Sequence, residues 1–293
     1  MRWRSERATR SWRTTGVAYL LISPALLLSG AFFFLPMTLS LLWSFTRYNG
    51  LDAFSWVGWA NYADLLQDPE FLQASRNTAV FGVVTMLIGP GLGLATAVML
   101  NRRLPARAFF RAVFFVPVTA SLVVVSTMWK MLLNEQGLLN RALHLVGVAP
   151  HDWLADPATA LYAVCAASIW QGFGFETVVF LAALQSLPRD LYDAASIDGA
   201  GPARRFWHVT LPGLRPTLVF VFVVGIIGAF QAFDQVFVMT QGGPVGSTTT
   251  VVYYLVQRFQ ALDLGHASAA AYLLVLVLAL LSAVQLRLAR RFE

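Results

Sequence analysis

Lysine is almost missing from this 293-residue chain: Lys130 stands alone beside twenty arginines, and cysteine also occurs once, as Cys165. A single cysteine excludes an internal disulfide, and inside an apolar run a small packing residue accounts for it. Lys130 lies between Trp129 and Met131, which excludes the Gly-x-x-x-x-Gly-Lys-Ser/Thr loop that cradles nucleotide phosphates. The four histidines are scattered and give no zinc spacing. No nucleophile and base can be paired, so the chain is expected to be non-catalytic and to bind neither metal nor cofactor. Charge itself is scarce, at 12% of residues, where a soluble domain carries about 25%.

What fills the space is apolar: 57% of residues, gathered in long runs rather than alternating with polar ones. A run of about 20 residues crosses a bilayer as a helix, and barrel strands of about 10 alternating residues do not fit these segments. Six runs are expected to be transmembrane helices, roughly Val17 to Phe45, Thr78 to Leu100, Phe109 to Leu133, Ala158 to Leu184, Thr217 to Met239 and Ala267 to Leu286. The first exceeds a signal-peptide core of about 7 to 15 apolar residues, and so reads as an uncleaved anchor.

The net charge of +6 is arranged for a membrane rather than for nucleic acid. With the N-terminus in the cytoplasm, sixteen of the 21 cations fall on that side: Arg2, Arg4, Arg7, Arg10 and Arg13 in the tail, Arg102, Arg103, Arg107 and Arg111, then Arg189, Arg204, Arg205 and Arg215, and finally Arg287, Arg290 and Arg291. Such an imbalance sets orientation, so both termini are expected to be cytoplasmic. No linker or low-complexity tract divides the chain. The expected organisation is a basic tail over 1–16 and one all-α transmembrane domain over 17–293.

Pro24, Pro36, Pro90 and Pro117 fall in or beside the runs, and Gly89, Gly91 and Gly93 lie together. Close helix packing explains these before hinges do. Two carboxylates fall within predicted spans, Glu176 and Asp234. An Asp at mid-membrane costs roughly 2.5 to 3.5 kcal/mol, so such groups face a cavity or a partner. With Gln171 and Gln231, and aromatic residues around them, they are candidates to border a path for a hydroxyl-rich solute. Interhelical hydrogen bonding is the competing role for each.

The stretch from Gln185 to Pro216 is long and patterned. Ser186 and Pro188 are expected to open a short helix, with Asp190 in the first turn where the dipole favours an anion. Asp198-Gly199 is expected to stop it near Ile197, and Pro202 follows. Leu191, Ala194 and Ala195 then share a shallow apolar face, suited either to a groove in a partner or to packing on its own domain.

This segment resembles the conserved loop of binding-protein-dependent ABC importer permeases, with its Glu-Ala-Ala, Asp-Gly-Ala and Leu-Pro elements. Here these are Asp193, Ala194 and Ala195, then Asp198, Gly199 and Ala200, then Leu211 and Pro212, with Asp193 shorter than the family's usual Glu but equally charged. Trp56 to Tyr62, the Asp68-Pro-Glu-Phe and Arg76-Asn-Thr segments, Gly137 to Asn140, and Phe233 to Pro244 with its Gly242-Gly243-Pro244 turn are similar to the carbohydrate-uptake branch, of maltose and glycerol-phosphate type. The resemblance implies a coupling helix between spans four and five, in which Tyr192 to Ala195 and Asp198 to Ala200 meet an ATPase. It further implies a second, non-identical permease, an ATPase dimer that alone uses ATP and Mg, an extracytoplasmic solute-binding protein, and a bacterial plasma membrane. The solute expected is a sugar, amino sugar or glycerophosphodiester. The rival is a secondary carrier or channel needing no ATP, although neither an inverted repeat nor a Thr-Val-Gly-Tyr-Gly filter is visible.

Overall fold

The structure, a computed structural model, describes residues 17–102 and 107–290. The basic tail over 1–16, Arg103 and Arg291 lie outside the described residues.

Helix α1, Val17–Trp43, meets the expected first span. It contains one wide turn over Gly30–Phe34. A two-stranded antiparallel ribbon follows, β1 (Thr46–Arg47) against β2 (Ser55–Trp56) with Thr46 opposite Trp56. Then comes the short helix α2, Ala60–Leu65. Helix α3, Pro69–Leu100, begins at Pro69 rather than Thr78 because Asp68 caps it, accepting from the Glu70 amide at 2.9 Å, and Pro69 suits its first position.

The expected third span, Phe109 to Leu133, is not one helix. It divides into α4 (Arg107–Thr119) and α5 (Leu122–Leu133), and the chain bends by 100° between Ala108–Thr119 and Leu122–Leu145. The chain turns at Ser121, whose ψ of 134° is extended. Helix α6 is Leu138–Leu145 and α7 is Ala160–Ser186. Ser186 does not cap the next helix, since it ends α7 with its hydroxyl donating to the Ala183 carbonyl at 2.8 Å. The N-cap position of α8, Arg189–Ile197, belongs to Pro188. Gly199 at φ 72° ends it as expected, with the Ala200 amide reaching back to the Ala195 carbonyl at 2.8 Å.

Helix α9, Pro202–Gly213, carries a wide turn at Phe206–Thr210 and meets α10, Arg215–Phe230, at 65°. The expected fifth span, Thr217 to Met239, also breaks. Helix α10 ends at Phe230 and α11, Asp234–Met239, resumes after Gln231 to Phe233. The Ala232 carbonyl freed there accepts from the Thr250 hydroxyl at 2.8 Å, which makes the break tolerable in an apolar setting. Helices α12, Val251–Gln260, and α13, Leu264–Arg290, complete the chain.

Helices α1, α3, α7 and α13 are each long and apolar enough to cross a membrane, and counting each bent pair as one span gives up to six. Helix α3 is the spine. Its start packs in one cluster with Leu65, Val251, Tyr254 and Ala270, and its end in another with Phe180, Leu184, Leu214 and Val221. Its 32 residues set these ends about 48 Å apart at 1.5 Å per residue. Between them Phe81 joins Val164, Cys165 and Ala167 of α7 with Val236 and Met239 of α11. The buried seam of α7 is rich in small residues, which lets backbones approach where lipid supplies no hydrophobic drive. Gly174 lies so close to the Phe114 carbonyl of α4 that a methyl group there would collide with it. Helix α1 contributes nothing buried. It touches α13 through Ser40 to Ser268 at 3.1 Å and through the Tyr272 hydroxyl on the Met37 carbonyl at 2.5 Å. Phe32, Phe33 and Leu27 are exposed, an apolar surface too extensive for water.

Candidate functional site

Helix α3 brings Gly89 and Gly93 against α7, and the residue they receive is Glu176. A β-carbon at Gly93 would stand 2.7 Å from that of Glu176, and one at Gly89 would stand 3.1 Å from Oε2. A β-carbon at Gly91 would meet nothing within 4 Å, so it takes no part in this contact. Only the absence of side chains on α3 admits the carboxyl, and glycine offers it no side-chain donor in return. Oε2 of Glu176 is buried without a hydrogen-bond partner.

The carboxyl opens onto a cavity of about 260 Å³ between α3, α7 and α10, with Thr85, Ser168, Gln171 and Gln235 as its other polar walls. Of the four residues expected to border a path, the structure thus brings Gln171 and Glu176 together. Gln231 is exposed in the break after α10 and Asp234 is half-buried at the start of α11; neither lines this cavity. Gln235 was missed. Gln231, Asp234 and Gln235 within five positions already argue against an unbroken lipid-facing helix there, and that polar density was the available signal.

At one end of the bundle α8 stands almost free. It buries no residue. Leu191 is exposed and Ile197 is 87% exposed, and Trp207 of α9 is exposed as well. Asp193, Ala194, Asp198 and Gly199 are exposed, and Tyr192, Ala195 and Ala200 half-buried. Two side-chain bonds tie α8 to α9: Tyr192 Oη to Thr210 Oγ1 at 3.0 Å, and Arg205 Nη1 donating to Ser196 Oγ at 2.9 Å. Leu187, between α7 and α8, packs on Gly213, where a β-carbon would come within 2.7 Å of it. The pair therefore sits as one unit on the ends of α7 and α10.

The opposite end is closed by its own chain. The turn containing Gly242, Gly243 and Pro244 has Gly242 at φ 81° and a cis Gly243–Pro244 bond. Thr248 donates to the Gly243 carbonyl at 2.8 Å and Thr249 to that of Gly242 at 3.1 Å. Asn77 of α3 donates to the carbonyls of Gly246 at 2.9 Å and Thr249 at 3.0 Å. Beside it, burial would raise the Asp68 carboxyl, but the Tyr254 hydroxyl at 2.6 Å, the Glu70 amide and the Arg258 guanidinium at 2.9 Å outweigh it and hold the group below its ordinary value. Arg258 is raised: burial opposes this, and Tyr254, Asp68 and Glu70 overcome it.

Known proteins resemble this chain over most of its length. Residues 89–293 match the family described as binding-protein-dependent transport system inner membrane component. The chain is 33% identical over 281 residues to the trehalose/maltose transport system permease protein MalF of Thermococcus litoralis, covering 95% of each. It is 35% identical to the lactose transport system permease protein LacF of Rhizobium radiobacter, covering 93% of each. To the sn-glycerol-3-phosphate transport system permease protein UgpA of Agrobacterium fabrum it is 34% identical, over 92% of this chain and 93% of that one. Among solved structures, a chain of a bacterial ABC transporter involved in the import of the acidic polysaccharide alginate shares the fold, with a TM-score of 0.86 at 22% identity over 97% of this chain and 99% of that one.

Proposed function

From the premise that this chain belongs to the family of binding-protein-dependent transport system inner membrane components, we propose that it is one permease of an ATP-driven importer for a sugar or sugar-like solute. The relatives are named for trehalose and maltose, lactose and glycerol phosphate, all hydroxyl-rich. On this reading each bent pair counts as one span, giving six, and the arginine asymmetry puts both termini and α8 in the cytoplasm of a bacterial plasma membrane. The domain is then 17–293 behind a basic tail.

The observation that carries the proposal is the uncovered apolar face of α8 at the end of a long packed helix. Leu191, Ala194 and Ile197 are exposed, whereas α7 just before them is buried at Phe180, Leu181 and Leu184. A short helix with shallow apolar side chains and Asp193 at its edge fits a cleft in a separate ATPase. That ATPase binds ATP and Mg; this chain binds neither. Closure of an ATPase dimer would push α8 and α9 together, since Tyr192, Ser196 and Leu187 tie them. The push would travel along α7 to Glu176, about 15 Å from Ser186 at 1.5 Å per residue.

The solute would pass the cavity at Gln171 and Glu176, with Gln231 and Asp234 farther along the path. The outer turn at Gly242, Gly243 and Pro244 would face an extracytoplasmic binding protein. A second, non-identical permease supplies the other half of the pathway. Purification with the co-expressed partner permease, ATPase and binding protein, followed by reconstitution into liposomes, tests the reading. Expected is uptake of a labelled sugar, amino sugar or glycerophosphodiester that requires both ATP and binding protein. Uptake driven by an ion gradient with no ATPase in the assembly would contradict it.

A further inference from the structure

We infer that the cavity around Glu176 selects solutes by charge, admitting neutral polyols and aminated sugars and excluding phosphorylated and uronic ones. The inference rests on the reading of this cavity as part of the path. It follows from what the walls have left to offer. The Thr85 hydroxyl donates to the Phe81 carbonyl at 2.7 Å, and the Ser168 hydroxyl to the Val164 carbonyl at 3.0 Å. Both protons are spent on their own helices, so these residues turn acceptor lone pairs to the cavity. Glu176, in its ionised form, adds two more acceptor oxygens, one of them buried and unpartnered. Donors come from the side-chain amides of Gln171 and Gln235, and no lysine or arginine lines the cavity.

A wall rich in acceptors, with a carboxyl as its one ionisable group, meets a solute that brings donors. Hydroxyl pairs and ammonium groups bring them. A phosphate or carboxylate brings acceptors and negative charge, which near a carboxylate is repelled strongly at low local dielectric. Space for the solute lies beside the carboxyl. Gly172, one helical turn before Glu176, and Gly228 of α10 both line the cavity, and a β-carbon at either would meet nothing within 4 Å.

That space also admits a test needing no knowledge of the solute. Gly172→Cys is built in a Cys165→Ala chain and assembled with the partner permease, ATPase and binding protein. Its reaction rate is measured with a trimethylammonium-bearing and a sulfonate-bearing methanethiosulfonate, with and without ATP, each normalised to the rate with free cysteine. Reactivity of the same assembly lacking the new cysteine is subtracted. The cationic reagent is expected to react at least about tenfold faster than the anionic one, and Glu176→Gln to bring the ratio near unity. Labelling is expected to stop ATP hydrolysis stimulated by the binding protein. If labelling stops hydrolysis but the ratio ignores Glu176→Gln, charge selection is wrong and the path reading stands. If the cysteine reacts in no state, or reacts without effect on hydrolysis, the path reading fails and takes the inference with it. Gly228→Cys serves in place of Gly172→Cys should that variant not assemble.

Discussion

The two ends of the bundle are built on opposite plans. Around the turn of Gly242 to Pro244 the polar groups are mostly answered within the chain, Ser247 Oγ excepted: Thr248 and Thr250 are fully buried, and Asn77 binds two carbonyls from a segment distant in sequence. Helix α8 buries nothing and hangs on two side-chain bonds. Buried polar groups without partners are costly, so a turn set into the bundle has to complete itself. An exposed apolar helix has the opposite need, since it stays soluble only when something else covers it. The contrast separates a part that completes itself from a part that leaves an apolar face uncovered.

The largest effect is expected at α8. Leu191→Asp with Ala194→Asp puts charge into the shared face, and retention of the ATPase on the purified permease should fall at least about a hundredfold. The melting temperature of the permease alone should hardly move, because exposed substitutions change stability by less than about 0.5 kcal/mol. Unchanged retention would break the comparison at its functional end.

At the turn of Gly242 to Pro244 the order reverses, with stability lost and docking kept. Asn77→Ala strands the Gly246 and Thr249 carbonyls and should cost about 1–3 kcal/mol, read as a lower melting temperature with ATPase retention intact. Gly242→Ala should act the same way. It forces a β-carbon to φ 81°, within 2.7 Å of Thr249 Oγ1, and that backbone region costs other residues about 1–2 kcal/mol.

Acid should loosen the end that holds Asp68 first. The folded value of Asp68 lies below its ordinary 3.8, so its contribution is complete above that pH and disappears as pH falls through the lowered value. Melting curves of wild type and Asp68→Asn should therefore differ at pH 7 and converge below about pH 3.8. The smallest effect is Tyr192→Phe, which removes one half-exposed bond to Thr210 worth at most about 1 kcal/mol. It should show as faster hydrogen exchange in α8 with little change in melting.

Much of this was legible in the residues. The apolar runs located α1, α3, α7 and α13, and Gly199 with Asp198 marked the end of α8. The two broken spans look continuous when hydropathy alone is read as continuity. Phe109 to Leu133 is apolar on both sides of Ser121, and no residue there states that the axis turns by 100°. The break at Gln231 to Phe233 was signalled locally by the polar density of Gln231, Asp234 and Gln235, but the Thr250 hydroxyl that satisfies the freed carbonyl comes from a distant part of the chain. The cavity was half legible for the same reason. A carboxylate in an apolar run marks a special place, but its seat on Gly89 and Gly93 of another helix is a tertiary fact.

If a separate ATPase seats the face of α8, position 194 lies within reach of it. Ala194→Cys in the Cys165→Ala chain, treated with a short thiol cross-linker in the assembled importer, tests that seating most directly. Expected is a covalent product with the ATPase, formed at a rate that changes when ATP binds, and none when Thr248→Cys is used instead. Modification of Ala194→Cys by an impermeant reagent from outside sealed cells, with no cross-link in an assembly that still transports, would contradict it.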